Sequence, residues 1–468
     1  MDFDSRLNGR YTASKLHAVF KECSGVCTDT RKITLNCMFF ALHGENFDGN
    51  DFALQALEQG AAYAVVDDEK FYRSTNPKII CLPDSLEALQ ILARYHRSLY
   101  DLPVIAITGS NGKTTTKALC AAVLSGAYRT LFTQGNLNNH IGVPLTLLQL
   151  THEHEVAIIE MGANHQGEIE MLCGIAQPTH GLITNMGKAH LEGFGGEEGV
   201  RLGKSELYKY LHSTNGTIFY NANEPYLKDY IPEGTKSISY EVIDSTARFE
   251  MKRFQLRVES TQPFLNCTFW DMRKATFNMK THIMGAYNVA NIAAAVCLGK
   301  YFKVPSAVIV KQICNFEPTG SRSEIKYLPS GAMLILDAYN ANPSSMRVAL
   351  NNLALAAPEK KIAILGDMFE LGESALAEHK NIIDHAQSLH LNTLVTVGKN
   401  FGYWSVVSGE TSGSNGHLTT HHSPLTTHLH FETTSDAHHW LTQQNFDSDT
   451  VILLKGSRSM AMEKVVQS

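Results

Sequence analysis

The segment Thr108-Gly109-Ser110-Asn111-Gly112-Lys113-Thr114-Thr115-Thr116 decides the fold, because it joins an apolar run at 104–108 to a helical pattern at 117–124. Glycines in such a loop allow backbone N–H groups to surround a polyphosphate, a lysine reaches the terminal phosphates, and a threonine hydroxyl binds Mg²⁺. Two residues rather than four separate its glycines, so the segment is a shortened phosphate loop. We predict that it binds a nucleotide through Gly109, Ser110, Asn111, Gly112, Lys113, Thr114 and Thr115.

Apolar strands continue to alternate with helical segments after this loop. The runs at 157–159 and 181–184 each follow a helical pattern. This alternation is typical of a mostly parallel sheet flanked by helices. Residues 245–283 instead alternate polar and apolar side chains, which favours an antiparallel insert.

The pattern breaks near 100–103 and again near 317–320. Before the first break, strands at 39–42 and 62–66 enclose a helix at 52–59, which indicates a small mixed domain. After the second break, strands at 333–336 and 362–365 enclose a helix at 344–357, as in a Rossmann-like unit. We therefore predict an α/β protein with domains at 1–100, 101–318 and 319–468.

Two further side chains stand where strands of the central domain end. Glu160 follows the strand at 156–159, and an acid at the carboxyl end of a strand beside a phosphate loop is well placed to bind a metal ion. His190 also follows a strand, although a lone histidine in this position is more often structural. Glu160 therefore adds a candidate metal ligand to the predicted nucleotide site.

Composition excludes several classes of protein. The chain has 468 residues, 44% of them apolar, which is typical of a globular protein and not of a disordered one. A net charge of −6 gives no electrostatic reason to expect nucleic-acid or anionic-membrane binding. No apolar run approaches the roughly 20 residues of a membrane span, and residues 1–6 carry an acid where a signal peptide has basic residues. Nine scattered cysteines fit a reducing compartment, so we expect a cytoplasmic protein.

Two groups of possible metal ligands have simpler interpretations. Cys23 and Cys27 have near-ligand spacing without a second pair, and two ordinary buried thiols are favoured over a zinc site. The segment 408–434 is rich in Ser, Thr and Gly, and an exposed polar loop is favoured there over a histidine metal site. The histidines concerned are His417, His421, His422, His428, His430, His438 and His439.

Nine motifs in this order resemble those of the Mur ligase superfamily, the ATP-dependent amide-forming enzymes of peptidoglycan synthesis. They cover most of the second and third domains, and the first domain matches more weakly. The motifs are TGSNGKTTTK (108–117), GNLNNHIGVPLTLL (135–148), EMGANHQGEI (160–169), KAHLEGFG (188–195), GKSELY (203–208), GAYNVANIAAA (285–295), DAYNANPSSM (337–346), LGDMFELG (365–372) and KGSRSMAME (455–463).

The resemblance implies ATP, two Mg²⁺ ions and a set of catalytic residues. Lys113 and Thr114 would hold the phosphates and the first Mg²⁺, with Glu160 near that ion and His190 at the second. Lys204 matches the lysine that the superfamily carbamylates, a change that turns a cation into a long carboxylate able to help place Mg²⁺. The remaining implied ATP contacts are Asn288 and Asn291, near adenine, and Arg322 and Asp337, where the third domain closes.

The first domain of such enzymes binds a uridine nucleotide. Asp29-Thr30-Arg31 stands here for the usual Asp-Ser-Arg, and Asn36-Cys37-Met38-Phe39 for a Gly-Asp-Leu-Phe-type turn, so Thr30 and Arg31 would contact the nucleotide. Asn36 tolerates the left-handed conformation that a glycine provides. The other implied substrate contacts are Asn138 and Asn139 at the domain junction, and Tyr339, Asn340 and Asn342 near an incoming dipeptide.

The motif set is most similar to members that add D-alanyl-D-alanine to UDP-N-acetylmuramoyl-tripeptide through an acyl phosphate, releasing ADP and phosphate. The resemblance thus implies small-molecule substrates and a monomer. One alternative is the ligase that adds the third amino acid, but its typical Asp-Asn-Pro-Arg tetrapeptide is absent here. Folylpolyglutamate synthase shares the phosphate loop but has no reason to keep the uridine-type domain. A nucleotide-binding switch or motor ATPase would leave the His190 and Lys204 motifs unexplained.

Overall fold

The computed structural model describes residue 7 and residues 11–188, 190–250, 254–262, 264–271, 275–407 and 427–466. Three sheets of four, nine and six strands follow one another along the chain, and helices cover them. The predicted α/β class with a mostly parallel central sheet and three domains is confirmed.

The N-terminal part contains a four-stranded parallel sheet in the order β1-β2-β5-β6, with a short hairpin of β3 and β4 beside it. The strands are β1 (Val26–Cys27), β2 (Met38–Phe40), β3 (His43–Gly44), β4 (Phe47–Asp48), β5 (Tyr63–Val66) and β6 (Ile79–Cys81). The helices are α1 (Ala13–Phe20), α2 (Ala53–Glu58) and α3 (Ser85–Ser98).

Helix α3 joins this sheet to the central domain. Asp84 caps its first turn by accepting a hydrogen bond from the backbone N–H of Glu87. Leu89 and Leu92 on its apolar face share one buried cluster with residues of the central domain. The buried Arg97 donates from its guanidinium to the carbonyls of Ala176 and Gln177 at 3.1 and 3.2 Å, so the junction is tied by both apolar packing and hydrogen bonds.

The central sheet has nine strands in the order β15-β14-β13-β12-β11-β10-β7-β9-β8. The strands are β7 (Val104–Thr108), β8 (Thr130–Phe132), β9 (Val156–Glu160), β10 (His180–Ile183), β11 (Thr217–Asn221), β12 (Lys236–Ile243), β13 (Phe254–Ser260), β14 (Asn266–Asp271) and β15 (Ala275–Lys280). The helices are α4 (Lys113–Ser125), α5 (Gly142–Leu147), α6 (Glu168–Ala176), α7 (Leu191–Phe194), α8 (Glu197–Ser213), α9 (Tyr226–Asp229), α10 (Asn288–Tyr301) and α11 (Ser306–Cys314).

Strand β7 shows why this sheet is covered on both faces. Successive side chains of a strand point to opposite faces. Val104 and Ala106 therefore pack in the cluster that contains α3, α5, α6 and α8, whereas Ile105 and Ile107 pack in the cluster that contains α4 and α10. A strand buried on both faces reads as a continuous apolar run, which is the pattern at 104–108.

The predicted antiparallel insert is part of the central sheet and not a separate layer. Strands β13, β14 and β15 form antiparallel pairs, as the alternating pattern indicates. Strand β13 pairs in parallel with β12, and β12 pairs in parallel with β11. The insert thus extends the parallel sheet at its edge.

The C-terminal sheet has six strands in the order β16-β17-β21-β18-β19-β20, parallel except for the edge pair β16 and β17. The strands are β16 (Glu324–Tyr327), β17 (Met333–Asp337), β18 (Lys360–Gly366), β19 (Thr393–Val397), β20 (Thr427–Phe431) and β21 (Thr450–Lys455). The helices are α12 (Pro343–Ala354), α13 (Ala375–Ser388), α14 (Lys399–Val407) and α15 (Thr434–Thr442).

Two helix boundaries lie three or four residues from those expected. Helix α4 begins at Lys113 and not at 117, because the threonines of the phosphate loop form its first turn. Helix α12 ends at Ala354 rather than at 357. Pro358 follows this end, and the residue before a proline disfavours the helical conformation.

Candidate active site

A cavity of about 1040 Å³ lies where the central and C-terminal domains face each other. The phosphate loop, the end of β9 and the first turn of α10 line it from the central domain. The end of β17 and the start of α12 line it from the C-terminal domain. Carboxyl ends of parallel strands are the usual place for ligand binding in open α/β sheets. The cavity therefore joins most of the candidate site residues from two domains.

The phosphate loop requires both of its glycines. Gly109 and Gly112 have φ of 143° and 79°. A Cβ on Gly109 would lie 2.0 Å from Oγ1 of Thr184, and one on Gly112 would lie 2.8 Å from Oδ1 of Asn291. Any side chain at these positions would both strain the backbone and collide with the neighbouring strand end or helix.

Lys113 lies across this loop. Its Nζ donates to the carbonyls of Gly109 and Ser110 at 2.6 and 3.2 Å. Burial lowers the pKa of Lys113 to about 8, the nearby carboxylate of Glu160 opposes that shift, and the charge of Arg322 adds to it. An anion in the cavity would favour the charged form of this lysine.

Glu160, at the end of β9, is 1% exposed and has several partners. Its Oε1 accepts hydrogen bonds from the Thr114 hydroxyl at 2.9 Å and from Nδ2 of Asn138 at 2.8 Å. Its Oε2 lies 3.1 Å from Nζ of Lys117, whose pKa is lowered by burial. Lys117 was not singled out from the sequence, although it is the last residue of the TGSNGKTTTK motif.

Asn288 and Asn291 fix α10 against the phosphate-loop helix. Nδ2 of Asn291 donates to Oδ1 of Asn288 at 2.8 Å, and the Thr116 hydroxyl donates to Oδ1 of Asn291 at 2.9 Å. Nδ2 of Asn288 donates to the carbonyl of Met284 at 2.8 Å. Both asparagines line the cavity, so this network also forms part of its wall.

Lys204 lies on α8 and is 1% exposed. Its Nζ donates to the carbonyl of Ala163 at 3.3 Å and lies 5.0 Å from the centre of the Phe194 ring. Burial, and secondly the charge of Lys113, lower the pKa of Lys204 well below its ordinary value. Burial thus favours the neutral amine of this lysine, which is the nucleophilic form.

His190 lines the same cavity and faces the C-terminal domain. Its Nδ1 lies 2.5 Å from Oε2 of Glu370, a residue in the loop between β18 and α13. The close contact with His190 holds the pKa of the Glu370 carboxyl below its usual value. Glu370 belongs to the LGDMFELG motif but was not singled out from the sequence, because nothing local relates it to His190.

The C-terminal wall is built around Asp337, at the end of β17. Its Oδ2 lies 2.6 Å from Nζ of Lys455, and its Oδ1 accepts from the backbone N–H of Ser323 at 3.2 Å. Lys455 is 2% exposed and was a second omission, since only its motif was noted. The guanidinium of Arg322 lies 3.6 Å from the centre of the Tyr339 ring.

Three of the predicted substrate asparagines line the cavity while serving the local structure. Asn139 accepts from the backbone N–H of Gly142 at 2.9 Å at the start of α5, and Asn340 accepts from its neighbour Ala341. Asn342 caps α12, and its Nδ2 also donates to Oδ1 of Asn111 in the phosphate loop at 2.8 Å. This last contact joins the C-terminal domain to the loop.

Thr30 and Arg31 lie apart from these residues. They form a short 3₁₀ helix, Thr30–Lys32, which Asp29 caps. The Arg31 guanidinium pairs with Asp29 at 2.9 Å at the exposed surface. The structure does not bring either residue into the cavity, whose described lining comes from the other two domains.

The other metal-ligand candidates do not form a site in the described part of the chain. His428 and His430 lie 3.1 Å from the Thr396 hydroxyl through ring nitrogens, and Cys23 and Cys27 are free thiols. Nδ1 of His438 lies 2.9 Å from the carbonyl of Val465. His417, His421 and His422 lie outside the described residues. Among the residues described, no three His, Cys, Asp or Glu side chains are preassembled to hold a metal ion.

The helices of the described residues include none with the length and apolar character of a membrane span.

Comparison with known proteins identifies related chains. Three family models match in order: "Mur ligase family, catalytic domain" at 22–97, "Mur ligase middle domain" at 107–299, and "Mur ligase, glutamate ligase domain" at 321–458.

The chain is 35% identical to the UDP-N-acetylmuramoyl-tripeptide–D-alanyl-D-alanine ligase of Escherichia coli (strain K12), over 95% of this chain and 93% of that protein. It is 32% identical to the Bacillus subtilis (strain 168) protein of that name, over 98% and 94%. The crystal structure of MurF from Acinetobacter baumannii superposes with a TM-score of 0.80 at 29% identity, covering 97% of each chain. The chain belongs to the Mur ligase family.

Proposed function

We propose that this chain adds D-alanyl-D-alanine to UDP-N-acetylmuramoyl-tripeptide, with ATP as the energy source, in the synthesis of peptidoglycan precursors. Relatives that carry the name of this ligase align with almost the whole chain. The observation that carries the proposal is that a phosphate loop and the buried carboxylate of Glu160 line one interdomain cavity, with the buried amine of Lys204 behind it, bonded to the carbonyl of the lining residue Ala163. This arrangement suits phosphoryl transfer to a carboxylate followed by amide formation.

ATP would bind with its phosphates on the loop between β7 and α4. The backbone N–H groups at the start of α4 and the ammonium of Lys113 supply positive charge there. Asn288 and Asn291 would lie near the base, with Arg322 and Asp337 closing from the C-terminal domain. Asn342 already contacts Asn111 of this loop, which supports a closure that brings the two domains together.

The reaction would use two Mg²⁺ ions, each held by few protein donors. Thr114 and Glu160 would hold the first, and His190 with a carbamylated Lys204 the second. The preassembled protein ligands are few, so phosphate oxygens and the carbamate must complete the coordination. The bound ions would neutralise charge on the transferred phosphoryl group.

Carbamylation of Lys204 is chemically favoured by its surroundings. A neutral amine can attack CO₂, forming the N–C bond while one C=O π bond opens to a carboxylate oxygen, and the nitrogen loses a proton to water. Burial lowers the pKa of Lys204 and so favours that amine. Once formed, the carbamate carries a negative charge that suits the nearby cation of Lys113.

Amide formation would proceed in two steps. A carboxylate oxygen of the tripeptide attacks the γ-phosphorus of ATP, the bond to the bridging oxygen breaks, and ADP leaves. The amine of D-alanyl-D-alanine then attacks the acyl carbon, phosphate leaves, and the amine loses its proton. The chain needs to orient these groups and stabilise charge rather than supply a nucleophile.

The substrates would be distributed over the three domains. Residues 1–100 would bind the uridine nucleotide through Thr30 and Arg31, and 101–318 would bind ATP and the metal ions. Asn138 and Asn139 would contact the tripeptide at the junction. Residues 319–468 would bind the dipeptide through Tyr339, Asn340 and Asn342. We expect the enzyme to be a cytoplasmic monomer and to act on small molecules only.

A coupled assay of ADP release tests the proposal. We expect turnover only when UDP-N-acetylmuramoyl-tripeptide, D-alanyl-D-alanine, ATP and Mg²⁺ are all present. Turnover with UDP-N-acetylmuramoyl-dipeptide and a free diamino acid would instead identify the ligase that adds the third residue. ATP hydrolysis at the same rate with and without both peptide substrates would contradict either assignment.

A further inference from the structure

The contact between His190 and Glu370 crosses the domain interface. His190 precedes α7 in the central domain, and Glu370 follows β18 in the C-terminal domain. Nδ1 of His190 lies 2.5 Å from Oε2 of Glu370, an ion-pair distance, and this buried nitrogen has no hydrogen bond to any other described residue. A candidate metal ligand thus has its outer partner on the domain that closes over the cavity.

Both partners have unusual backbone conformations. His190 has φ of 54° and Glu370 has φ of 62°, which non-glycine residues rarely adopt. Such conformations are strained and persist when their surroundings hold them. Two left-handed residues that meet across one interface indicate that their relative position matters to the protein.

Neighbouring contacts hold the same two segments together. Nζ of Lys188 lies 3.2 Å from Oε1 of Glu197 and 3.5 Å from Oε1 of Glu378 on α13. A Cβ on Gly372 would lie 3.6 Å from Cβ of Glu192, so the Glu370 segment packs closely on α7. The His190–Glu370 pair is therefore part of a docked surface.

The chemistry of the pair determines what it can do. A carboxylate beside Nδ1 keeps the proton on that nitrogen, which leaves the lone pair of Nε2 for a cation. Such outer carboxylates orient the ring and strengthen metal binding by about 10- to 100-fold. His190 lines the cavity from this docked position.

We propose that Glu370 is a positioning residue through which the docked C-terminal domain holds the His190 imidazole in the tautomer and orientation that bind a divalent cation. Cation binding at His190 and docking of the C-terminal domain then stabilise each other, since coupling between two equilibria is reciprocal. This inference rests on the proposed function only in taking His190 as a metal ligand.

Mn²⁺ binding to the full chain, followed by electron paramagnetic resonance with a non-hydrolysable ATP analogue, tests this inference. We expect His190→Ala to remove one Mn²⁺ site and Glu370→Ala to weaken that site about 10-fold or more. Glu370→Gln keeps an acceptor of the same length and should restore part of the affinity. Glu373→Ala, at an exposed acid in the same segment, is the matched control.

Hydrogen exchange supplies the second readout. Mn²⁺ should slow the hydrogen exchange of backbone amides at 368–378 in the wild-type chain and in Glu373→Ala. In Glu370→Ala, Mn²⁺ should no longer slow this exchange. Unchanged or tighter Mn²⁺ binding in Glu370→Ala would overturn the inference, as would a wild-type chain without a His190-dependent site. Neither measurement needs the peptide substrates, so failure of the ligase assay remains a separate result.

Discussion

At the scale of single residues, two buried lysines of the site differ in whether a carboxylate pairs with them. Lys204 contacts a backbone carbonyl and an aromatic ring, forms no ion pair with a carboxylate of the described residues, and has a pKa well below the ordinary value because of burial. Lys117 is equally buried but has the carboxylate of Glu160 at 3.1 Å. A buried charge requires such a partner, and a buried neutral amine does not. The first lysine is thus suited to modification and the second to holding a metal-binding acid in place.

Replacing Lys204 tests its role. We expect Lys204→Ala to lower kcat by about 100-fold or more, because one preorganised charge at a reacting phosphate is removed. Affinity for an ATP analogue should change little, since the phosphate loop is intact. ADP release and calorimetric titration measure the two quantities.

Lys209→Ala, an exposed lysine on the same helix, is the control and should keep normal activity. Loss of ¹³C-carbamate signal from bicarbonate-labelled protein should accompany loss of activity in Lys204→Ala alone. A fully active Lys204→Ala enzyme would eliminate the carbamate role.

Replacing Lys117 tests the buried ion pair. We expect Lys117→Met to destabilise the protein by about 3–5 kcal/mol, because Glu160 would remain buried without its cation. Adding Glu160→Gln should recover part of this loss, since both charges are then gone. Urea unfolding of the two single variants and the double variant gives the coupling energy. Additive effects would show that the pair contributes nothing of its own.

At the scale of elements, the phosphate loop packs against both the end of β10 and helix α10. Gly109 and Gly112 lie against Thr184, at the end of β10, and Asn291, on α10. The loop can adopt its curve only because both glycines lack a side chain. Its shape is therefore fixed by its neighbours as well as by its own residues.

Two glycine-to-alanine substitutions, one in the phosphate loop and one in a helix, distinguish the special requirement of the loop from the general effect of adding a methyl group. Gly109→Ala should weaken ATP binding at least about 10-fold and lower stability by about 1–3 kcal/mol, because φ is 143° and Thr184 is too close. Gly174→Ala in α6 meets nothing within 4 Å and should stabilise by about 0.5–1 kcal/mol. Thermal unfolding and nucleotide titration measure both. Normal ATP affinity in Gly109→Ala would be inconsistent with this account of the loop.

Elements of the fold were predictable from sequence where the decisive signal is local. The apolar run at 104–108 and the acid that ends β9 are examples, because their pattern depends on neighbouring residues alone. The parallel pairing of β12 and β13 was not predicted, because the alternation of polar and apolar residues in a strand does not determine which strand pairs with it. The same holds in the site: Asn342 contacts Asn111 from 231 positions away. Such pairs follow from the packing of whole domains.

At the scale of the whole molecule, a pair of buried histidines joins the N-terminal and central domains. Nε2 of His17, on α1, lies 2.9 Å from Nδ1 of His96, on α3, and Nε2 of His96 lies 3.0 Å from the carbonyl of Leu150. Burial, then the charges of His96 and Lys21, lower the pKa of His17 to about 4, and burial also lowers the pKa of His96. The junction is therefore built for neutral imidazoles.

This junction should make stability depend on pH. The unfolded chain protonates His17 near pH 6.5, whereas the folded chain keeps it neutral down to about pH 4. The stability that neutral His17 contributes is thus complete above pH 6.5 and falls as the pH drops toward 4. At pH 5 the free energy of unfolding is lower by about 2 kcal/mol. We expect Tm to fall between pH 7.5 and 5.0, and to fall less in His17→Gln, which keeps a donor for His96. His140→Gln, at an exposed histidine, should behave as wild type, and an identical pH dependence in His17→Gln would refute the assignment.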